Sequence, residues 1–120
     1  MDRKKETNSQ KRNQLNAETA STQNFIAPNA TVVGDVTIGS EATVWFQAVL
    51  RGDANYIRVG ERTNIQDGTI IHVDHDAPTI IAEDVTVGHQ CMLHGCKIEK
   101  GALIGMSSIV LNHAVIGENS

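Results

Sequence analysis

Bulky rings are almost missing from this sequence: only 3% of its 120 residues are aromatic, although 40% are hydrophobic. A core must therefore be assembled from Val, Ile, Leu and Ala, which favours thin, regular packing over a wide irregular interior. Basic residues are also scarce. With a formal net charge of -4 and a pI near 5.6, the chain lacks the positive face that phosphate backbones demand, which argues against nucleic acid as a partner. No apolar run approaches the roughly 18 residues needed to cross a bilayer, and the N-terminal stretch lacks the apolar centre of a secretory signal. A cytoplasmic protein with no membrane partner is the default expectation. The two cysteines, Cys91 and Cys96, sit inside a repeat without the spacing of a Cys-rich zinc site and read as reduced, structural thiols. The length suits one folded unit.

The pattern that is present begins abruptly. Residues 1–24 are rich in Lys, Arg, Asn, Gln, Thr and Ser, with Leu15 the only large aliphatic besides Met1, and read as a disordered polar tail. From Ile26 an aliphatic recurs every six positions, at Val32, Ile38, Val44 and Leu50, and the domain is assigned to residues 25–120. The hexads Ile38-Gly39-Ser40-Glu41-Ala42-Thr43 and Val87-Gly88-His89-Gln90-Cys91-Met92 spell the pattern most clearly, with a small residue four places after each aliphatic. The register slips by three around Tyr56 to Arg58, resumes at Val59, Ile65 and Ile71, and breaks at a loop near Asp74 to Pro78. It returns at Ile81, Val87 and Leu93, shortens by one, and finishes at Ile98, Ile104, Val110 and Ile116.

A period of six lacks the three- and four-residue spacing of a helix and suits short strands with alternating faces. Three hexads close one triangular coil, giving an all-β solenoid of about five coils with rungs about 4.8 Å apart. If the hexads are assigned in turn to faces A, B and C, Leu50, Ile71 and Leu93 fall on face B of successive coils. Their outward followers Arg51, His72 and His94 then form one column, and His72 and His94 become neighbours able to converge on one ion. His89 lies near a corner, directed away from that column. The simplest resolution is that it completes the site of an adjacent subunit, which suits the three-fold symmetry of a triangular prism. His75 and His113, taken singly, read as solvated side chains.

Arg51-Gly52-Asp53, Asn64-Ile65-Gln66-Asp67-Gly68, His72, and His89 to His94 followed by Gly95 occur in this order, and repeat folding alone demands none of these polar residues. Together they resemble the signature of the γ-class carbonic anhydrases, over nearly all of residues 25–120. The resemblance implies a left-handed parallel β-helix and a homotrimer. It also implies Zn2+, with Fe2+ or Co2+ as substitutes, held by His72 and His94 of one subunit and His89 of its neighbour. It further implies that Gln66 orients a metal-bound hydroxide or bicarbonate, and that Arg51, Asp53 and Asp67 make ionic contacts at the trimer interface. Reversible hydration of carbon dioxide is the expected activity.

The sequence departs from the family's pattern in three places. Ala54 stands where a glutamate follows the aspartate, and His75 stands where a second glutamate follows the first ligand. The first change removes a proton-handling carboxylate; the second supplies an imidazole that could shuttle protons. The chain also stops at Ser120, where the family continues through further coils and a C-terminal helix. Two other readings follow. One is a metal-stabilised trimeric scaffold with little turnover; the other is a hexapeptide acyltransferase, which leaves the three histidines unexplained.

Overall fold

The six-residue period becomes a coil of three short strands per turn. The computed structural model describes residues 23–120, and there the chain winds through thirteen strands as a left-handed parallel β-helix, with no helix among the described residues. Residues 1–22 of the polar tail lie outside the described residues. Gln23 and Asn24 are described, and the Asn24 side-chain amide donates to the Ile38 carbonyl at 3.1 Å. Among the described residues no helix is long and apolar enough to cross a membrane.

Face A stacks β1 (Phe25–Ile26), β3 (Thr43–Val44), β5 (Asn64–Ile65), β8 (Thr86–Val87) and β11 (Leu103–Ile104) in that order. The second sheet folds round an edge of the prism and supplies the other two faces. Face B carries the first halves of β2 (Thr31–Ile38) and β4 (Val49–Val59), then β6 (Ile70–His72), β9 (Met92–His94) and β12 (Ile109–Val110). Face C carries the second halves of β2 and β4, then β7 (Thr79–Ile81), β10 (Lys97–Ile98) and β13 (Val115–Ile116). Named strand pairs are parallel throughout, so each face holds five rungs related by rung-to-rung steps of about 4.8 Å.

Parallel register places like positions of successive hexads over one another. Ile26, Val44, Ile65, Val87 and Ile104 stack on face A. Val32, Leu50, Ile71, Leu93 and Val110 stack on face B, and Ile38, Val59, Ile81, Ile98 and Ile116 on face C. These three columns fill the prism, and the large side chains in its middle are fully buried. Each such aliphatic contributes roughly 1.5–3 kcal/mol through burial. The small residue four places later is buried too, as at Ala42, Ala48, Thr63, Thr69, Cys91 and Ala102, because the corner turns inside it. The residue between them, three places after the aliphatic, has a positive φ at Glu41, Arg62, Asp84, Gln90 and Ser107. The period of six is thus a backbone period as well as a hydrophobic one.

Buried threonines at corners must find hydrogen-bond partners, because an unpaired hydroxyl in that interior would be costly. Thr63 Oγ1 donates to the Ala82 carbonyl at 2.6 Å and accepts from the Val85 amide at 3.1 Å. Thr69 repeats the device one corner on, donating to the Gly88 carbonyl at 2.9 Å and accepting from the Cys91 amide at 3.2 Å. Both free thiols are buried, Cys91 donating to the Gly105 carbonyl at 3.1 Å, while burial pushes the Cys96 thiol up to about 11. Structural thiols are what the sequence suggested.

The register slip lies slightly earlier than the sequence pattern indicates. Pairing between β2 and β4 runs to Gly34↔Gly52 and resumes at Val36↔Ile57, so residues 53–56 bulge outward opposite the single residue Asp35. Gly52 permits this. A Cβ added there would lie 2.6 Å from the Asp35 carbonyl oxygen, so the two strands meet backbone to backbone just where the bulge leaves the sheet.

Leu93 is fully buried in the middle of the face B column. Leu93→Ala should lower unfolding stability by about 2–5 kcal/mol, read as a lower denaturant midpoint with an unchanged slope.

Candidate metal centre

Outward positions on face B carry the polar column that the hexad count foresaw. His72 ends β6, His94 ends β9, and the two are register partners. Their backbones are tied together by the buried Thr79 hydroxyl, which donates to the His72 carbonyl at 2.7 Å and accepts from the Gly95 amide at 2.7 Å. The rings meet edge to face with centroids 5.0 Å apart, and His72 Nδ1 lies 3.1 Å from His94 Nε2. Two ligands of one tetrahedral ion with bonds of about 2.0–2.1 Å would lie about 3.3 Å apart.

The outer nitrogens of both rings are already committed. His72 Nε2 faces Asp53 Oδ1 at 2.8 Å, and His94 Nδ1 faces Asn112 Oδ1 at 2.7 Å. Both partners are acceptors, so each outer nitrogen carries the ring proton and each inner nitrogen of a neutral ring is a bare lone pair. Two lone pairs at 3.1 Å repel unless a positive charge, a proton or a metal ion, is shared between them. Asp53 is suited to its part. Desolvation alone would raise its carboxyl, but hydrogen bonds from His72, the Ala54 amide and Arg51 outweigh that and hold it at about 2. The bulge carries Asp53 to this position, and Arg51 pairs with it from the same column.

The remaining sequence-predicted residues occupy a different part of the prism. Gln66 follows Ile65 beyond face A, and its amide donates to Asn64 Oδ1 at 2.9 Å. Asp67 and His89 occupy equivalent positions on successive coils at the A–B corner, and His89 Nδ1 lies 3.4 Å from Asp67 Oδ1. Among the described residues, no three His, Cys, Asp or Glu side chains of one chain gather closely enough to hold an ion. The chain therefore presents two separate polar clusters. One is Arg51, Asp53, His72 and His94 on face B; the other is Gln66, Asp67 and His89 at the corner. The exposed His75 makes its hydrogen bonds through its backbone, its amide donating to Asp74 Oδ1 at 2.9 Å and its carbonyl accepting from Asn55 at 2.9 Å. Ala54, where a carboxylate was expected, is partly buried against the core.

Sequence reasoning missed Asn112 and did not foresee that Asp53 bonds His72. Asn112 follows Leu111 in the turn after β12, one rung above His94, and no motif marks it. Its position two places after the inward Val110 was the available signal, since it matches that of Gly95 after Leu93.

The fold and this polar column define a hexapeptide-repeat β-helix protein with a paired-imidazole site. At 44–51% identity, the chain resembles the γ carbonic anhydrases. It is 51% identical over 94 residues to a carbonic anhydrase of Geobacillus kaustophilus, covering 78% of this chain and 52% of that protein. It is 44% identical over 102 residues to the mitochondrial gamma carbonic anhydrase 2 of Arabidopsis thaliana, covering 80% of this chain and 37% of that protein. A hexapeptide transferase family protein from Anaplasma phagocytophilum superposes with a TM-score of 0.71 at 42% identity, over 80% of this chain and 63% of that one. No family model matches the chain. The chain spans about half the length of the bacterial relative and just over a third of the plant one.

In the metal-free protein, the depressed Asp53 carboxyl favours the folded state from the ordinary carboxylate value of 3.8 upward, and that contribution is lost as pH falls towards about 2. Asp53→Asn should remove this part of the acid dependence. Urea midpoints measured between about pH 5 and pH 2 should fall less steeply in the variant than in the parent.

Proposed function

We propose that the chain is a γ-carbonic-anhydrase-like metalloprotein that hydrates carbon dioxide reversibly, acting as a cytoplasmic homotrimer with its sites between subunits. The observation that carries this reading is the facing pair of His72 Nδ1 and His94 Nε2 at 3.1 Å, with both outer nitrogens bonded to acceptors. Outer partners of this kind fix a ligand's tautomer and raise its basicity. His72 and His94 supply two imidazoles from face B, and His89 supplies the third from the corner of the adjacent subunit. Zn2+ suits this donor set, as do Fe2+ and Co2+. Such an ion, once bound, would supply Lewis acidity for activating water near neutral pH.

The chain's own residues do the rest. Asp53 holds His72, and Arg51 neutralises Asp53 so that no uncompensated charge faces the neighbouring subunit. Asn64 accepts from Gln66 and so leaves the Gln66 carbonyl oxygen free to orient a substrate hydroxyl or water. Asp67, its Oδ1 3.4 Å from His89 Nδ1, favours a ring orientation that keeps that nitrogen turned towards it. His75, exposed on its loop, is the candidate proton carrier to solvent.

One observation favours a second reading, a trimeric scaffold of the same family with little turnover. Ala54, packed partly against the core, leaves no acid group beside Asp53 for moving protons. The two readings share the site and differ in the rate.

Complementation tests the arrangement. His89→Ala and His94→Ala variants should each lack carbon dioxide hydration in stopped-flow assays of zinc- or iron-loaded protein. Unfolded and refolded together, they should regain activity, because mixed trimers contain one interface with all three histidines intact. Failure of the mixture where refolded parent is active would contradict an intersubunit site. A metal-loaded parent no faster than His89→Ala would leave the scaffold reading.

A further inference from the structure

We propose that Asn112, oriented by Asp74, is a positioning residue that locks His94 in the tautomer able to bind metal through Nε2. The inference rests on the reading of His72 and His94 as a metal pair. It adds two residues that the sequence motif does not contain.

An asparagine amide can present either its oxygen or its nitrogen, and the choice here is made by its other neighbour. Asn112 Nδ2 donates to Asp74 Oδ2 at 3.1 Å. A carboxylate can only accept, so the amide nitrogen must face Asp74 and the oxygen must face His94. Asn112 Oδ1 then lies 2.7 Å from His94 Nδ1, and an oxygen there requires that Nδ1 carry the proton. His94 Nε2 is thereby left as the lone pair directed at His72. The free imidazole ring has no such fixed choice. Asp74 is itself held, since its Oδ1 accepts from the His75 amide at 2.9 Å and its backbone closes the short loop with Ala77 at 3.0 and 3.1 Å.

A second feature is shaped to this contact. Gly95 has a φ of 64°, and a Cβ added to it would lie 2.4 Å from Asn112 Oδ1 and 2.8 Å from the Ala77 Cβ. The residue after His94 must lack a side chain for Asn112 to reach the ring. Loop 74–77, the turn after β12 and the end of β9 thus meet at one imidazole. The 38-residue separation of Asp74 and Asn112 shows that this is tertiary design rather than a by-product of one turn.

The test reads the tautomer directly. Two-bond proton–nitrogen correlation spectra of the full chain, 15N-labelled and stripped of metal, are recorded at about pH 8, above the ordinary histidine range. The parent should show His94 protonated on Nδ1. Asn112→Leu should shift His94 towards the Nε2-protonated form, leave His72 unchanged, and weaken Co2+ binding by about 10–100-fold. Asp74→Leu, which removes the acceptor that fixes the Asn112 amide, should not retain the parent tautomer as the dominant form. The proposal is overturned if His94 carries its proton on Nε2 in the parent, a result that needs no variant to fold. It is equally overturned if Asn112→Leu leaves the tautomer as it was. If the parent itself binds no Co2+, the metal reading fails, while the tautomer on metal-free protein still decides the role of Asn112.

Discussion

Parallel register between rungs is the constraint on which everything else in this structure depends. One inward aliphatic per six residues locks each strand over the equivalent strand of the previous coil, and a slip by one residue would turn every side chain to the opposite face. With that register fixed, a residue's neighbours are decided by its position in the hexad. His72 and His94 are 22 residues apart in sequence and become partners only because Ile71 and Leu93 stack inside. The core is a pile of similar rungs, so it needs no aromatic side chain, and the near absence of rings follows from the same architecture.

The site exploits the points where regularity is broken. Three additional residues opposite Asp35 push Asp53 out of the sheet and against His72, and the loop at Asp74 to Ala77 brings a carboxylate beside Asn112. Regular rungs supply the two imidazoles, and the irregular segments supply the acceptors that fix their protons. The division is physically sensible. Stacked strands give positional precision, while bulges and loops can reach sideways across columns that the rungs keep parallel.

Much of this was legible in the sequence, and the boundary of legibility has a physical cause. The columns at Leu50, Ile71 and Leu93, and hence the pairing of His72 with His94, follow from counting sixes. So does the separation of His89 from that pair. The slip was visible in the count, but its location was read near Tyr56 to Arg58, whereas the excursion occupies residues 53–56. Hydrophobic spacing registers how many residues are inserted, not where the backbone leaves the ladder. Asn112 was invisible because its importance comes from Asp74 and Gly95, which only the coiled structure brings together. In sequence the chain is similar to a carbonic anhydrase, and in fold to a hexapeptide transferase family protein. Fold alone does not settle chemistry, which is carried here by the paired rings.

The proposed site holds one ion between His72 and His94 of one subunit and His89 of the next. Its most direct test is anomalous diffraction from crystals of the zinc-loaded protein. A zinc peak is expected at about 2.0–2.1 Å from nitrogens of all three, with His89 contributed by a neighbouring chain. A zinc ion coordinated wholly within one chain, or no peak between His72 and His94, would contradict it.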